Sequence, residues 1–272
     1  MKSRVIVAAV GVPLLLVLIL LCPAWCMGIL TAIMSAIAVI ELLHTAGLMR
    51  NLRVICYSIA AAIGISAWSA FGTPHVWGLL IVFLYMLALI GEFLAAQTRI
   101  SLSRLMAAVF AALIVPYFLS ALTRMAAAQN GKYYVLLAVI LSFTSDTGAF
   151  FVGRSFGKHK LAPVISPHKT VEGLIGGVIS CVLCTLLYSL IIQLAAGFTV
   201  DYLTAVICGI LGSLTSVAGD LTFSVIKRQA GIKDYGKLLP GHGGILDRFD
   251  SVELVAPLTE LLMLSVPLIT KG

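Results

Sequence analysis

Residues 173–196 read GLIGGVISCVLCTLLYSLIIQLAA, a run without a charged side chain. An α-helix of about 20 apolar residues spans the hydrocarbon core of a bilayer. Similar runs recur along the whole chain of 272 residues, of which 61% are hydrophobic and only 11% are charged. Soluble domains carry about 25% charged residues. The sequence therefore predicts an all-α, polytopic integral membrane protein and excludes a soluble fold.

Nine transmembrane helices are predicted, each bounded by charged residues, Pro or Gly. Their expected positions are 5–22, 25–43, 54–71, 76–95, 105–123, 133–152, 173–196, 203–226 and 251–270. We treat residues 1–272 as a single transmembrane domain. Within it, we expect N-terminal helices in 1–130, and catalytic helices with cytoplasmic loops in 131–272.

The basic residues predict the orientation. If the N-terminus is cytoplasmic, 15 of the 18 Lys and Arg side chains fall in cytoplasmic segments. Only Arg124, Lys132 and Lys271 fall in segments on the opposite side of the membrane. Cytoplasmic loops of membrane proteins are enriched in Lys and Arg. We therefore predict a cytoplasmic N-terminus. The net charge of +7 then reflects membrane topology, and no nucleic-acid partner is expected.

Several acidic residues lie near the cytoplasmic ends of predicted spans, namely Glu41, Glu92, Asp146 and Asp220. An ionised group within hydrocarbon costs about 2.5–3.5 kcal/mol on insertion scales. A shared polar cavity that opens to the cytoplasm explains these acids together. For Glu41 and Glu92 alone, pairing with an interfacial Arg is an equally good explanation, and Glu260, deeper in the last span, has no predicted partner.

The first polar loop covers residues 145–177, SDTGAFFVGRSFGKHKLAPVISPHKTVEGLIGG. Its glycines, basic side chains and Ser-Pro turn suit phosphate groups. The segment GRSFGK at 153–158 is not a P-loop, because three residues separate its glycines where that motif has four. The segment 166–173 predicts the start of a capped helix, whose free N–H groups can bind an anion.

The second loop covers residues 224–250, SVIKRQAGIKDYGKLLPGHGGILDRFD, with five basic residues, three aspartates and one histidine. Asp247 and Asp250 stand three positions apart, so a helix through them would place both carboxylates on one face. Carboxylate oxygens suit Mg²⁺, and the glycines around His242 let the backbone approach a ligand closely. From composition alone, a solvated charged loop is the alternative.

This second loop resembles, position for position, the signature of the phosphatidate cytidylyltransferase (CDP-diacylglycerol synthase) family, S-x-x-K-R-x-x-x-x-K-D-x-G-x-x-L-P-x-H-G-G-x-x-D-R-x-D. The runs S-D-x-x-A-F-x-x-G-R-x-x-G-K and S-P-x-K-T-x-E-G in the first loop are also similar to that family. The resemblance implies an all-helical membrane enzyme that converts CTP and phosphatidate to CDP-diacylglycerol and pyrophosphate, with one or two Mg²⁺ ions. It also implies a prokaryotic plasma membrane, with the active site facing the cytoplasm.

The resemblance assigns roles to individual residues of both loops. The implied catalytic residues are Asp220, Asp247, Lys227, Arg248 and His242. The implied metal ligands are Asp220, Asp247, Asp250 and Asp146. The implied substrate-binding residues are Arg154, Lys158, Ser166, Lys169, Glu172, Ser224, Arg228, Lys233, Asp234, Gly243 and Gly244. For His242 we favour a hydrogen bond to phosphate or nucleotide over a base, because a phosphate monoester is already ionised near neutrality.

Two other functions fit parts of the pattern. A CTP-dependent lipid kinase would share the metal-binding and basic residues but would transfer the γ-phosphoryl group. A cation or lipid transporter would also contain acidic residues within its spans, but transport predicts polar groups that reach the outer leaflet. The charge here lies on the cytoplasmic side, which favours the enzyme. The resemblance is also compatible with a homodimer.

Overall fold

A computed structural model describes residues 2–72, 74–97, 100–236, 238 and 243–270. The first seven α-helices, α1 to α7, are Lys2–Leu21, Ala24–Val39, Leu52–Phe71, His75–Ala96, Leu102–Val109, Val115–Leu119 and Ala121–Ala127. Two π-helical turns, Ile40–Thr45 and Phe110–Ile114, continue α2 and α5. The later helices, α8 to α11, are Gly131–Phe156, Val171–Ala196, Tyr202–Gln229 and Leu246–Ser265. Four short strands, β1 to β4, are Lys160–Ala162, Ser166–Thr170, Thr199–Val200 and Ile269–Thr270.

Seven helical stretches of the described chain are long and apolar enough to cross a bilayer. They are Ala24–Thr45, Leu52–Phe71, His75–Ala96, Leu102–Ala127, Gly131–Phe156, Val171–Ala196 and Tyr202–Gln229. This result confirms the all-α, polytopic fold class. The shorter apolar helix Gly11–Leu21 falls within the first predicted span. The count of nine spans and the cytoplasmic N-terminus stay predictions.

The last predicted span, 251–270, overlaps α11 but is shifted relative to it. This helix begins at Leu246 and ends at Ser265, so it includes the charged end of the second loop. Its sequence contains Asp247, Arg248, Asp250, Glu253 and Glu260. These charges make α11 more polar than the seven candidate spans.

The described chain divides into two compact units. Unit 1 comprises Met1–Ala127 and Gln229–Phe249, and unit 2 comprises Ala128–Arg228 and Asp250–Gly272. The first boundary lies close to the predicted division between residues 130 and 131. Most of the second loop groups with the N-terminal helices, so the two units are interleaved in sequence.

Several hydrogen bonds join the apolar helices of unit 1. The Thr31 and Thr123 hydroxyls lie 2.7 Å apart. Tyr85 is hydrogen-bonded to the Ser58 hydroxyl at 2.9 Å and donates to the Ala108 carbonyl oxygen, also at 2.9 Å. Within a bilayer, such interhelical hydrogen bonds satisfy polar groups that lipid cannot bind.

Unit 2 depends on close packing between α8 and α9. A Cβ atom at Gly173 would lie 2.8 Å from the Ala149 carbonyl oxygen, and one at Gly177 would lie 3.0 Å from that of Ser145. Small residues let two helix backbones approach closely. These glycines bring the start of α9 against the part of α8 that carries the predicted site residues.

The first loop folds into a short antiparallel hairpin before α9. Strand β1 pairs with β2 in the register Lys160↔Thr170 and Ala162↔Ser166. Thr170 ends the hairpin and caps α9, because its Oγ1 accepts a hydrogen bond from the Gly173 N–H at 3.1 Å. The helix cap predicted from the sequence is therefore present, with a strand before it. A second hairpin in unit 2 pairs β3 with β4.

Candidate active site

A cavity of about 490 Å³ lies within unit 2, among α8, the β1–β2 hairpin, α9 and α10. The charged and imidazole side chains that line it are Asp146, Arg154, Lys160, His168, Lys169 and Asp220. Apolar side chains complete the lining, namely Ala149, Phe150, Leu161, Leu174 and Val217. The cavity thus combines basic groups and carboxylates with an apolar wall.

An ion pair joins two sides of this cavity. The Lys169 Nζ of β2 pairs with the Asp220 Oδ2 of α10. The other carboxylate oxygen of Asp220 accepts a hydrogen bond from the Ser224 hydroxyl at 3.1 Å. Three predicted site residues therefore come together in one network: Lys169 of the first polar loop, Ser224 of the second, and Asp220, which lies just before the second loop.

The predicted metal ligands of unit 2 also lie near one another. Asp250 is only 8% exposed and interacts electrostatically with Asp220, Asp146 and Lys227. The Ser251 hydroxyl donates a hydrogen bond to Asp146 Oδ2 at 3.3 Å. A Cβ atom at Gly219 would lie 2.6 Å from the Asp250 carbonyl oxygen, so glycine at this position lets α10 and α11 approach closely.

Asp247 is bound differently, within unit 1. Its Oδ2 accepts hydrogen bonds from the Tyr235 N–H at 2.8 Å and from the Gly244 N–H at 2.9 Å. Gly243 has a φ of +83°, a left-handed conformation that glycine adopts without strain. Asp247 and Asp250 share one helix as predicted. Asp247 fixes the turn before that helix, whereas Asp250 belongs to the acidic group of unit 2.

Glu172 connects α9 to the segment before β1. Its carboxylate accepts hydrogen bonds from the Lys158 N–H at 3.1 Å and the His159 N–H at 3.2 Å. It also pairs with His159 Nδ1 at 2.6 Å. Among the described residues, Lys158, Ser166 and Glu172 are not part of the cavity lining. Glu172 instead holds the hairpin against the start of α9.

The remaining predicted residues that the structure describes lie outside the cavity lining. Arg228 in unit 2 is exposed and donates from Nε to the Ile165 carbonyl oxygen at 3.2 Å. The exposed predicted residues of unit 1 are Lys233, Asp234 and Arg248. His242 lies outside the described residues, so its predicted hydrogen bond stays a prediction.

Two of the charged or imidazole side chains that line the cavity, Lys160 and His168, were not predicted as site residues. Both belong to the first polar loop, and the basic composition of that loop is the sequence feature that could have identified them. The local pattern gave no indication of a hairpin that turns them toward α8 and α10. Within the described residues, no group of three or more His, Cys, Asp or Glu side chains is placed to hold a metal ion.

The fold and the cavity define a polytopic membrane protein with a mixed basic and acidic pocket. Residues 2–266 match the model of the cytidylyltransferase family, and the chain belongs to this family.

Three bacterial relatives are similar to this chain, and each is named phosphatidate cytidylyltransferase. The protein from Staphylococcus saprophyticus is 45% identical over 138 residues, 51% of this chain and 52% of that protein. The protein from Staphylococcus haemolyticus is 44% identical over 138 residues, with the same coverage. The protein from Staphylococcus aureus is 46% identical over 140 residues, 50% of this chain and 51% of that protein. The chain thus spans about half the length of these relatives.

Proposed function

We propose that this protein is a phosphatidate cytidylyltransferase, which transfers CMP from CTP to phosphatidate and releases pyrophosphate. The observation that carries the proposal is the cavity of unit 2, where Arg154 and Lys169 lie beside Asp146 and Asp220. The basic groups suit phosphates, and the carboxylates suit a divalent cation. Family membership and the names of the relatives support the same activity.

We propose that pairs of carboxylates in unit 2 bind Mg²⁺, since no group of three is placed to hold a metal ion among the described residues. Asp220, Asp250 and Asp146 offer carboxylate oxygens, the hard ligands that Mg²⁺ prefers, and Mg²⁺ usually binds one or two carboxylates together with substrate phosphates. We therefore propose Asp220 and Asp250 as ligands, with Asp146 as a further candidate. The ligand role that the resemblance implies for Asp247, in unit 1, stays a prediction. When bound, Mg²⁺ would neutralise negative charge on the transferring and leaving phosphates.

The chain's own residues would bind and orient the two polyanions. Arg154 can hold phosphate oxygens with its planar guanidinium, while Lys169 provides a point charge. In this arrangement a phosphatidate oxygen attacks the α-phosphorus of CTP in line. The new P–O bond forms as the bond between the α-phosphorus and the bridging oxygen breaks, so pyrophosphate leaves without a covalent enzyme intermediate. The attacking phosphate needs no base, because it is already ionised near neutrality.

The setting of the cavity suits one lipid and one soluble substrate. Phe150 is 58% exposed and lines the cavity beside charged side chains, which places apolar and polar binding surfaces side by side. We propose that the active site faces the cytoplasm of a bacterial plasma membrane, where CTP is available. The predicted excess of basic residues on that side supports this orientation.

Acceptor specificity tests the proposal. Purified protein in lipid vesicles would receive Mg²⁺ and CTP together with either phosphatidate or diacylglycerol. We expect CDP-diacylglycerol and one pyrophosphate per product molecule with phosphatidate, and no lipid product with diacylglycerol. Formation of phosphatidate and CDP from diacylglycerol would show a lipid kinase and overturn the proposal.

A further inference from the structure

We propose that Glu41 is a positioning residue for the end of the second polar loop, which carries the implied catalytic residues Asp247 and Arg248; the catalytic consequence rests on the proposed function. Glu41 lies in the π-helical turn Ile40–Thr45 that follows α2. Its side chain holds the backbone of Gly244, Ile245 and Leu246, which leads directly to Asp247. The N-terminal half of the chain would thus set the conformation of the second polar loop.

Both carboxylate oxygens of Glu41 bind this backbone. Oε1 accepts a hydrogen bond from the Ile245 N–H at 2.9 Å, and Oε2 accepts one from the Leu246 N–H at 2.8 Å. Glu41 is only 4% exposed. Hydrogen bonds from N–H groups to a carboxylate are stronger than those between neutral groups, so this contact fixes the loop in two places.

The position of these N–H groups explains why a carboxylate binds them. The first N–H groups of a helix have no acceptor within the helix, and they carry partial positive charge. Helix α11 begins at Leu246. Asp247 Oδ2 accepts the Gly244 N–H, while Glu41 accepts the next two. Three consecutive N–H groups are therefore bound by two acidic side chains, and loss of Glu41 would release two of them.

Two glycines of the loop leave the space that the Glu41 carboxylate occupies. A Cβ atom at Gly236 would lie 2.8 Å from Glu41 Oε1, and one at Gly244 would collide with the same carboxylate. Glycine at both positions therefore lets the backbone reach Glu41. π-Helical turns are rare and often occur at functional sites, which agrees with a specific role for the turn that carries Glu41.

Glu41→Gln tests this role, because glutamine has nearly the same size but lacks the charge and one acceptor oxygen. Without substrates, we expect amide hydrogen exchange in residues 243–249 to rise about tenfold, the effect of losing one charge-assisted hydrogen bond. Exchange in α3 and α8 should not change. In the transfer assay, kcat should fall about 100-fold because small displacements of site groups are costly, while the KM for CTP changes less than about threefold.

Glu92→Gln is the matched control. Glu92 is another carboxylate near the end of a predicted span in unit 1, but it binds Asn51 Nδ2 at 3.2 Å and Arg53 Nη1 at 3.6 Å. This variant should leave exchange in residues 243–249 and the kcat unchanged. Unchanged exchange in the Glu41→Gln protein would overturn the proposal, and so would a uniform increase in all peptides.

Gly244→Ala tests the same contact from the loop side, and it replaces Glu41→Gln if that variant does not fold. Its added methyl group would displace the Glu41 carboxylate, so we expect the same local rise in exchange and the same fall in kcat. Unchanged exchange in this variant would contradict the proposal. The exchange readout needs no substrate. A local rise in the variants, together with no cytidylyl transfer by the wild-type protein, would refute the proposed activity but retain the role of Glu41 in holding the loop.

Discussion

Lys169 and Asp220 place a positive and a negative charge next to each other in the cavity. Their side chains are 22% and 26% exposed, respectively, so solvent screens part of the attraction and the pair contributes little to stability. The pairing has a chemical consequence instead. The ammonium can bind a phosphate while the carboxylate binds a cation, because a cation-bound triphosphate offers partners to both groups.

Replacing Lys169 tests its role in phosphate binding. Lys169→Met removes the charge and keeps most of the side-chain length. We expect the KM for CTP or for phosphatidate to rise about 10- to 100-fold, the effect of losing a hydrogen bond to a charged group. Steady-state kinetics with each substrate varied in turn would measure the change. Lys132→Met, at an exposed residue that does not line the cavity, should retain wild-type kinetics; equal KM values in both variants would contradict the role of Lys169.

At this scale, the structure brings together three residues that the sequence singled out, while their roles stay predictions. Asp146, Asp220 and Lys169 lie in short polar segments at the ends of apolar runs, and the structure places all three in the cavity. The contact between Glu41 and the loop was not predicted. Its partners are 204 and 205 positions away in sequence, and no local spacing indicates such a contact.

Among the elements, the α8–α9 pair positions most of the cavity. Gly173 and Gly177 allow the close approach, and Thr170 caps α9 where the hairpin ends. Both features have a basis in the sequence. Gly173 and Gly177 form a G-x-x-x-G pattern, which favours close helix packing, and the segment 166–173 predicts the start of a capped helix. The hairpin was missed because its strands are short and polar, without the alternation of hydrophobic residues that indicates a strand.

Gly173→Ala tests the dependence of the site on this packing. The added Cβ would lie 2.8 Å from the Ala149 carbonyl oxygen and 2.9 Å from Thr170 Oγ1, so the helices or the hairpin must move. We expect a loss of about 1–3 kcal/mol in stability, as for other overpacked sites, together with weaker CTP binding. Thermal unfolding of the detergent-purified protein and equilibrium CTP binding would measure both effects.

Gly91→Ala provides the control for this substitution. Gly91 lies in α4, and a Cβ atom there would have no neighbour within 4 Å. Alanine favours a helix over glycine by about 1 kcal/mol, so this variant should be as stable as the wild type or more so. If Gly173→Ala behaved like Gly91→Ala, close packing of α8 and α9 would not be needed for the site.

For the whole molecule, composition and hydropathy were sufficient to predict the fold class. The division into two units was not predictable in the same way. Residues 229–249 group with the N-terminal helices although they follow α10 in sequence. Hydrophobic runs locate helices along the chain, but they carry no information about which distant segments pack together.

The orientation of the chain has its own test. Because Lys and Arg concentrate in cytoplasmic loops, a fluorescent protein fused after Gly157 should fluoresce in bacterial cells, and alkaline phosphatase fused after Ala128 should be active. Each reporter fused at the other position provides the control and should be inactive. The reverse result would contradict the cytoplasmic N-terminus and the cytoplasmic active site.

We propose that cytidylyl transfer takes place at the cavity of unit 2. The most direct measurement follows ³²P from CTP into lipid, with the label at either the α- or the γ-phosphate, using purified wild-type protein and Asp220→Asn in parallel. We predict lipid labelled only from the α-phosphate, and a decrease of about 100-fold or more in Asp220→Asn, as expected for lost charge stabilisation in the transition state. Lipid labelled from the γ-phosphate, or wild-type labelling by Asp220→Asn, would contradict the proposal.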